Sequence, residues 1–277
     1  AGIIAAAPMK GVPFTGVAPE ATILSIKVTN TDQGFPVTTV SQAIIDAVQD
    51  RAQVINLSLT EPDTPELSDA IDYALSHNVV VVASAGNDTT NSGTGPFYPA
   101  AYPGVLSVGA VDSSGNLGYF SNVKTPVTVT APGVNITSAF PGVYPDSYLA
   151  GQQGTSFATA FVSGVAALVR ARYPQLPAAK VVQLIKVTAD GAAGPGTGNG
   201  LVNPVQALTA VLSAGAATTT TAGHGHVAID KAVPDGHEKT MAMSMTAGAV
   251  GAAVLVLAIA AVIPAGRRRR WRPGGDH

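Results

Sequence analysis

The chain has 277 residues, a formal net charge of −2 and 12% charged residues, about half the share of roughly 25% that is usual in soluble proteins. The near balance of charge leaves no basic surface for nucleic acid, which is therefore excluded as a partner. Cysteine is absent, and this excludes disulfides, thiolate metal sites and a cysteine nucleophile.

Apolar runs and helical periodicities alternate along the first 213 residues. The apolar runs predict strands over 21–28, 53–59, 79–83, 105–111 and 127–131. The periodic stretches predict helices over 38–51, 65–77, 156–173 and 178–188. Because the run 79–83 is apolar throughout, both faces of its strand should be covered, which indicates an α/β layered sheet. The loops at the ends of such a sheet are where binding sites are expected.

A different composition begins after residue 213. Residues 214–240 predict a linker, and 241–263 contain no charged residue, which gives ~34 Å of helix and is enough to cross a bilayer core of ~30 Å. Five arginines lie within 267–272, so the basic tail 264–277 should be cytoplasmic and residues 1–240 extracytoplasmic. We therefore expect a single-pass protein of the cell membrane, in contact with the lipid bilayer. The alternative is a buried core helix with a basic tail.

The linker histidines are weak candidates for a metal site. His224, His226 and His237 lie close together in the sequence, but no carboxylate or thiol completes a ligand set at fixed spacing. We expect solvated linker histidines, and we predict neither a metal nor a cofactor.

Two loops carry the candidate chemistry. One follows the third predicted strand and ends in Asn87, and the other, Gly154-Thr155-Ser156, opens the long helix. A hydroxyl at a helix N-terminus lies where unpaired backbone N–H groups and the helix dipole favour a developing oxyanion. Taken singly, each loop is also what an ordinary helix cap or turn would use.

Taken together, these motifs resemble those of subtilisin-like serine proteases. Residues 151–174 resemble the nucleophile helix, 80–87 the strand and loop of the oxyanion asparagine, and 55–59 the strand that binds the substrate main chain. Residues 131–136 and 200–203 match further landmarks in the same order. The resemblance covers about residues 1–210. It implies a peptidase domain over 1–213 with a three-layer α/β fold, in which a mainly parallel sheet lies between helices, and it implies protein or peptide substrates.

The resemblance also implies roles for individual residues. Ser156 would be the acyl-forming nucleophile, and the Asn87 side chain and the Ser156 N–H would donate to the tetrahedral oxyanion. Two segments are expected to bind the substrate: Ser58, Leu59 and Thr60 along its main chain, and Ala83, Ser84, Ala85 and Gly86 as one wall of the S1 pocket.

The sequence departs from the family pattern in its catalytic residues. The family triad has the chain order Asp, His, Ser, and only the serine has a match here. Residues 1–8 resemble the second half of the family's catalytic-histidine helix. We therefore expect the histidine and the aspartate ahead of Ala1, a sequence truncated at its N-terminus, and little activity from the 277 residues as written. Ala160 stands where the family often has proline and changes no catalytic group.

The order of peptidase domain, linker, membrane helix and arginine-rich end resembles the mycosins. These are membrane-anchored proteases associated with type VII secretion, although many of them carry disulfides, which this chain lacks. The resemblance implies a serine endopeptidase that acts on exported or membrane proteins, with a type VII secretion membrane complex as a partner. A non-catalytic pseudoprotease scaffold that stabilises such a complex is the alternative. A soluble secreted protease is a third hypothesis, which the predicted membrane helix argues against.

Overall fold

The computed structural model describes residues 1–8, 14–29, 36–87, 95–139, 148–191, 194 and 196–210. The predicted linker 214–240, membrane helix 241–263 and tail 264–277 lie outside these residues. Within the described ranges, no helix has both the length and the apolar character needed to cross a bilayer.

A four-stranded parallel sheet forms the centre of the domain. Its strands are β1 (Val54–Leu57), β2 (Val80–Ser84), β3 (Leu106–Val111) and β4 (Val129–Pro132), adjacent in chain order. Every residue of β2 and β3 is buried, as expected for parallel strands that are covered on both faces. The sequence therefore predicted the position and the burial of these strands correctly.

Helices cover both faces of the sheet. The described helices are α1 (Gly2–Ala5), α2 (Val37–Gln49), α3 (Pro65–Ser76), α4 (Thr155–Arg172), α5 (Ala178–Val187) and α6 (Pro204–Thr209). Side chains alternate across β2: Val80 and Val82 join the cluster that includes α4 and α5, whereas Val81 and Ala83 join the cluster of α2 and α3. The predicted arrangement of a parallel sheet between two helical layers is thus confirmed.

The buried Arg170 secures the end of the long helix α4. Its guanidinium donates to the carbonyl of Leu176 at 2.8 Å and to the carbonyl of Asn78. Burial lowers the pKa of this side chain. The Asn78 side chain in turn accepts from the N–H of Ala178, the first residue of α5. Backbone groups that would otherwise be unpaired at these helix ends therefore have partners.

One local prediction was wrong, and one element was not predicted. Residues 21–28 form no strand; Ile26 and Val28 pack against the α2–α3 cluster, but Ile23 and Leu24 are 42% and 47% exposed, and no described strand pairs with this segment. Conversely, an antiparallel hairpin of β5 (Ile136–Ala139) and β6 (Tyr148–Gln152) was not predicted. This hairpin leads directly into α4.

Candidate active site

The carboxyl ends of β1 and β2 place the two predicted substrate segments side by side. Leu57 and Ala83 are partners in the parallel register, so the residues that follow them leave the same edge of the sheet. The buried Ser84 hydroxyl donates to the Leu59 carbonyl at 3.1 Å and joins the two segments. The N-terminus of α4 lies at this edge, since Ser58 is hydrogen-bonded to Ser156.

The side-chain amide of Asn87 is held by the first residue of α4. Its Oδ1 accepts from the backbone N–H of Thr155 at 2.8 Å and from the Thr155 hydroxyl at 2.9 Å. A backbone N–H can only donate, so the atom facing it must be the amide oxygen and not the nitrogen. The orientation of the amide is thereby fixed, and Nδ2 is the group available to a ligand.

Gly154, the residue before α4, keeps this donor accessible. Its φ is 148°, a backbone conformation that favours glycine. A Cβ at this position would lie 3.3 Å from Asn87 Nδ2. A side chain here would therefore crowd Asn87 Nδ2.

Ser156 makes a reciprocal contact with Ser58. The Ser156 hydroxyl donates to the Ser58 carbonyl at 3.3 Å, and the Ser58 hydroxyl donates to the Ser156 carbonyl at 3.0 Å. Ser156 is the second residue of α4, so its N–H belongs to the first turn, in which backbone donors have no acceptor within the helix. Hydroxyl, backbone N–H and Asn87 amide thus come together at one helix end.

This combination suits acyl transfer. A hydroxyl can attack a carbonyl carbon, and two N–H donors close to it can stabilise the negative oxygen that results. The positive end of the α4 dipole adds to this stabilisation. The arrangement supplies the nucleophile and the oxyanion site, and the reaction would also require a base for the hydroxyl proton.

The predicted S1 wall is buried in this structure. Ala83 packs in the α2–α3 cluster and Ala85 is also buried. Gly86, with a φ of 97°, lies directly against the ring of Phe97: a Cβ on Gly86 would be 2.3 Å from a ring carbon. That these residues contact a substrate stays a prediction, and Phe97 is added to the wall as a residue that the sequence did not indicate.

The segment containing Phe97 contacts the chain at both predicted substrate segments. Tyr98, the next residue, pairs with Glu61 through backbone hydrogen bonds, while the Phe97 ring contacts Gly86. Glu61 is 8% exposed, and burial raises the pKa of its carboxyl. The segment 97–98 therefore contacts Gly86 through an aromatic ring and Glu61 through its backbone.

The histidine of the described residues lies away from this site. His77 is the C-cap of α3, and its Nδ1 is 2.8 Å from the Tyr73 carbonyl. It comes just before β2, whereas Asn87 comes after it; a five-residue strand separates them by ~16 Å or more. The His77 side chain is exposed. No group of metal-ligating side chains occurs within the described ranges.

Sequence reasoning did not identify two polar residues that are linked by hydrogen bonds to Ser58. Asn56 is the polar residue in the otherwise apolar strand β1, and Ser163 lies in the apolar helix α4. The Ser163 hydroxyl donates to Asn56 Oδ1 at 2.9 Å. The available signal was spacing: Asn56 in β1 is two residues before Ser58, and Ser163 is seven residues after Ser156 in α4, so the members of each pair point to one side.

Comparisons with known proteins agree with this geometry. The profile of the Subtilase family matches residues 1–228. Subtilisin DY of Bacillus licheniformis is 38% identical over 176 residues, which are 63% of this chain and 63% of that protein. M-protease of Shouchella clausii is 37% identical over 73% of this chain and 52% of its own length. The chain thus spans between about half and two thirds of these relatives.

Solved structures with the same fold include two proteases of type VII secretion systems. The crystal structure of MycP1 from the ESX-1 system is 28% identical, with a TM-score of 0.69, over 76% of this chain and 70% of MycP1. MycP3 from the ESX-3 system is 34% identical, with a TM-score of 0.64, over 76% of this chain and 71% of MycP3.

Proposed function

Since the chain belongs to the subtilase family, as its motifs predicted, we propose that it is a serine endopeptidase of that family, anchored in the cell membrane. Its substrates are exported or membrane proteins, and its membrane partner is a type VII secretion complex. The single observation that carries the catalytic part is that the Ser156 hydroxyl lies at the N-terminus of α4, where Thr155 binds Asn87 Oδ1 and leaves Nδ2 as a donor.

The proposed reaction is acyl transfer. Ser156 Oγ attacks the carbonyl carbon of the scissile peptide bond while its proton passes to a histidine base. The carbonyl oxygen becomes negative and accepts from Asn87 Nδ2 and from the Ser156 N–H. The C–N bond then breaks, the leaving amine takes the proton from the base, and the acyl group stays on Ser156. Water, deprotonated by the same base, hydrolyses this ester and regenerates the hydroxyl.

The membrane part of the proposal depends on residues 241–263 and on the arginines that follow them. The uncharged length and the charge asymmetry support a single span with a cytoplasmic tail. The likeness to MycP1 and MycP3, which belong to type VII secretion systems, supports the same cellular setting. A tether would confine the active site to proteins at the membrane surface.

The test begins with the natural full-length protein. Its intact mass and N-terminal sequence are measured first, and it is then treated with a fluorophosphonate, which forms a covalent bond with an activated serine. We expect one adduct, located on Ser156 by peptide mass spectrometry and absent from Ser156→Ala. Ser163→Ala, which removes a hydroxyl from the same helix, is the matched control and should still react.

The outcome separates the enzyme from the alternative. A correctly folded protein without any adduct would contradict the protease and favour the pseudoprotease scaffold. An adduct on another serine would contradict the assignment of the nucleophile. The membrane proposal is tested separately, by whether the protein stays with the membrane fraction after a high-salt wash and leaves it when residues 241–277 are deleted.

A further inference from the structure

A row of polar side chains connects the end of β1 with the helix that carries Ser156. Asn56 and Ser58 share one face of the extended chain, because side chains alternate along a strand. Ser156 and Ser163 are seven residues apart, close to two turns, and so share one face of α4. The four residues Asn56, Ser58, Ser156 and Ser163 are called the registration network below.

The hydrogen bonds of the registration network have one direction. Ser163 Oγ donates to Asn56 Oδ1 at 2.9 Å, Asn56 Nδ2 donates to Ser58 Oγ at 3.0 Å, and Ser58 Oγ donates to the Ser156 carbonyl at 3.0 Å. The carbonyl can only accept, so the Ser58 proton must point to it. Ser58 Oγ must then accept from the Asn56 amide nitrogen, which leaves the amide oxygen for Ser163.

We propose that Asn56 is a positioning residue that holds the substrate-binding segment in register with the nucleophile. The hydrogen bonds described for its side chain go to Ser58 and Ser163 and not to Ser156. Its bond from Ser163 orients the amide, and its bond to Ser58 orients the hydroxyl that donates to the Ser156 carbonyl. Ser163 is buried and anchors the far side of the amide two turns along α4. This inference rests on the proposed function, because register matters only if a substrate lies along Ser58–Thr60 while Ser156 attacks it.

A positioning residue matters because the reaction rate is sensitive to small displacements of the nucleophile relative to the substrate. A nucleophile reacts efficiently when it is about 3–3.5 Å from the carbonyl carbon, and an error of ~1 Å can lower the rate ~10²-fold. The main chain of Ser58–Thr60 and the hydroxyl of Ser156 belong to different elements, 98 residues apart in the chain. Without Asn56, the Ser58 hydroxyl loses the donor that fixes its rotamer, and the two elements can shift.

The test compares two reactions of the same serine in the natural full-length protein. An extended peptide substrate must pair with Ser58–Thr60, whereas a small alkyl fluorophosphonate reaches Ser156 without using that segment. In Asn56→Asp one carboxylate oxygen still accepts from Ser163, but no N–H reaches Ser58. We expect kcat/KM for the peptide to fall ~10²-fold, mainly in kcat, and the fluorophosphonate rate constant to change less than about threefold.

Two further variants separate register from folding. Ser163→Ala breaks the network at its other end without adding charge, and should lower the peptide rate in the same direction but to a smaller extent. Ser41→Ala removes another buried hydroxyl, which donates to the Val37 carbonyl inside α2. It should lower thermal stability and leave both rates unchanged. Thermal unfolding of each variant shows that the assayed protein is folded.

Each outcome decides the proposal. A selective loss of peptide hydrolysis supports it. Equal losses in both reactions would overturn it, because Asn56 would then act on the reactivity of Ser156 or on folding. An unchanged peptide rate would overturn it as well. If the unsubstituted protein fails to react with the fluorophosphonate, the proposed function itself is refuted, and this inference falls with it.

Discussion

Replacing Asn87 tests the oxyanion site, because the two polar atoms of its side-chain amide have different roles. Nδ2 is proposed to donate to the transition state, whereas Oδ1 accepts two hydrogen bonds from Thr155 at the start of α4. Asn87→Ala removes both functions. Asn87→Asp removes the donor and keeps an oxygen for Thr155. Comparing the two variants therefore separates catalysis from stability.

The expected size of each effect follows from these contacts. Loss of one oxyanion donor lowers kcat about 10²–10³-fold, a range that was measured for the asparagine of a subtilisin and is adopted here for a member of the same family. Thr155 is fully buried, so Asn87→Ala also leaves its N–H without an acceptor, at a cost of about 1–3 kcal/mol. For a domain of this size the Tm should fall by roughly 2–12 °C.

Asn87→Asp should lower kcat at least as much as Asn87→Ala while keeping the Tm close to that of the unsubstituted protein. The assay is hydrolysis of a peptide substrate by the full-length protein at 25 °C, alongside thermal unfolding by circular dichroism. The loss should appear in kcat more than in KM, because the donor acts mainly on the transition state. If Asn87→Asp turns over at the unsubstituted rate, Nδ2 does not bind the oxyanion.

Three further changes test the surroundings of the site. Burial raises the pKa of Glu61, so ionisation of this carboxyl destabilises the folded protein at a pH above the raised pKa and has no effect below its ordinary pKa. Glu61→Gln should therefore raise the Tm at pH 7 and leave it unchanged at pH 3.5. Equal Tm shifts at the two pH values would contradict this. Phe97→Ala removes the ring that lies on Gly86. Among matched peptides it should favour larger side chains before the scissile bond by about tenfold in kcat/KM, and an unchanged preference would exclude Phe97 from the pocket. Gly154→Ala places a methyl group 3.3 Å from Asn87 Nδ2. It should lower kcat about tenfold or more, and normal turnover would show that the donor lies elsewhere.

The sequence predicted those parts of the fold in which a local pattern of apolar residues is compatible with only one structure. A strand as apolar as Val80–Ser84 can only be covered on both faces, and the structure buries it completely. The helices of residues 37–49 and 65–76 have one apolar stripe each, and that stripe determines which face packs on the sheet. Their ends came within one or two residues of the predicted positions.

The failed predictions involve partners that a local pattern does not specify. Residues 21–28 have the composition of a strand, but a strand requires a neighbour for its backbone groups, and composition does not supply one. The hairpin Ile136–Ala139 and Tyr148–Gln152 contains a register shift between Ile136 and Ser138, which interrupts the alternation that would have indicated it. The Asn56–Ser163 bond joins residues 107 apart in the chain, and only the packing of α4 on β1 brings them together.

The two catalytic candidates carry different weight in deciding between a protease and a scaffold. Asn87 would be retained in either, because its Oδ1 satisfies the buried N–H at the start of α4, and losing that acceptor would destabilise the helix that packs on the sheet. The Ser156 hydroxyl contributes much less to the structure, because it makes one described hydrogen bond, to the exposed Ser58 carbonyl at 3.3 Å. A scaffold could replace Ser156 with alanine at little cost in stability. The free energy of unfolding of Ser156→Ala is therefore informative. A loss below about 1 kcal/mol would mean that folding does not require this hydroxyl, so that its presence favours the enzyme. A larger loss would remove that argument.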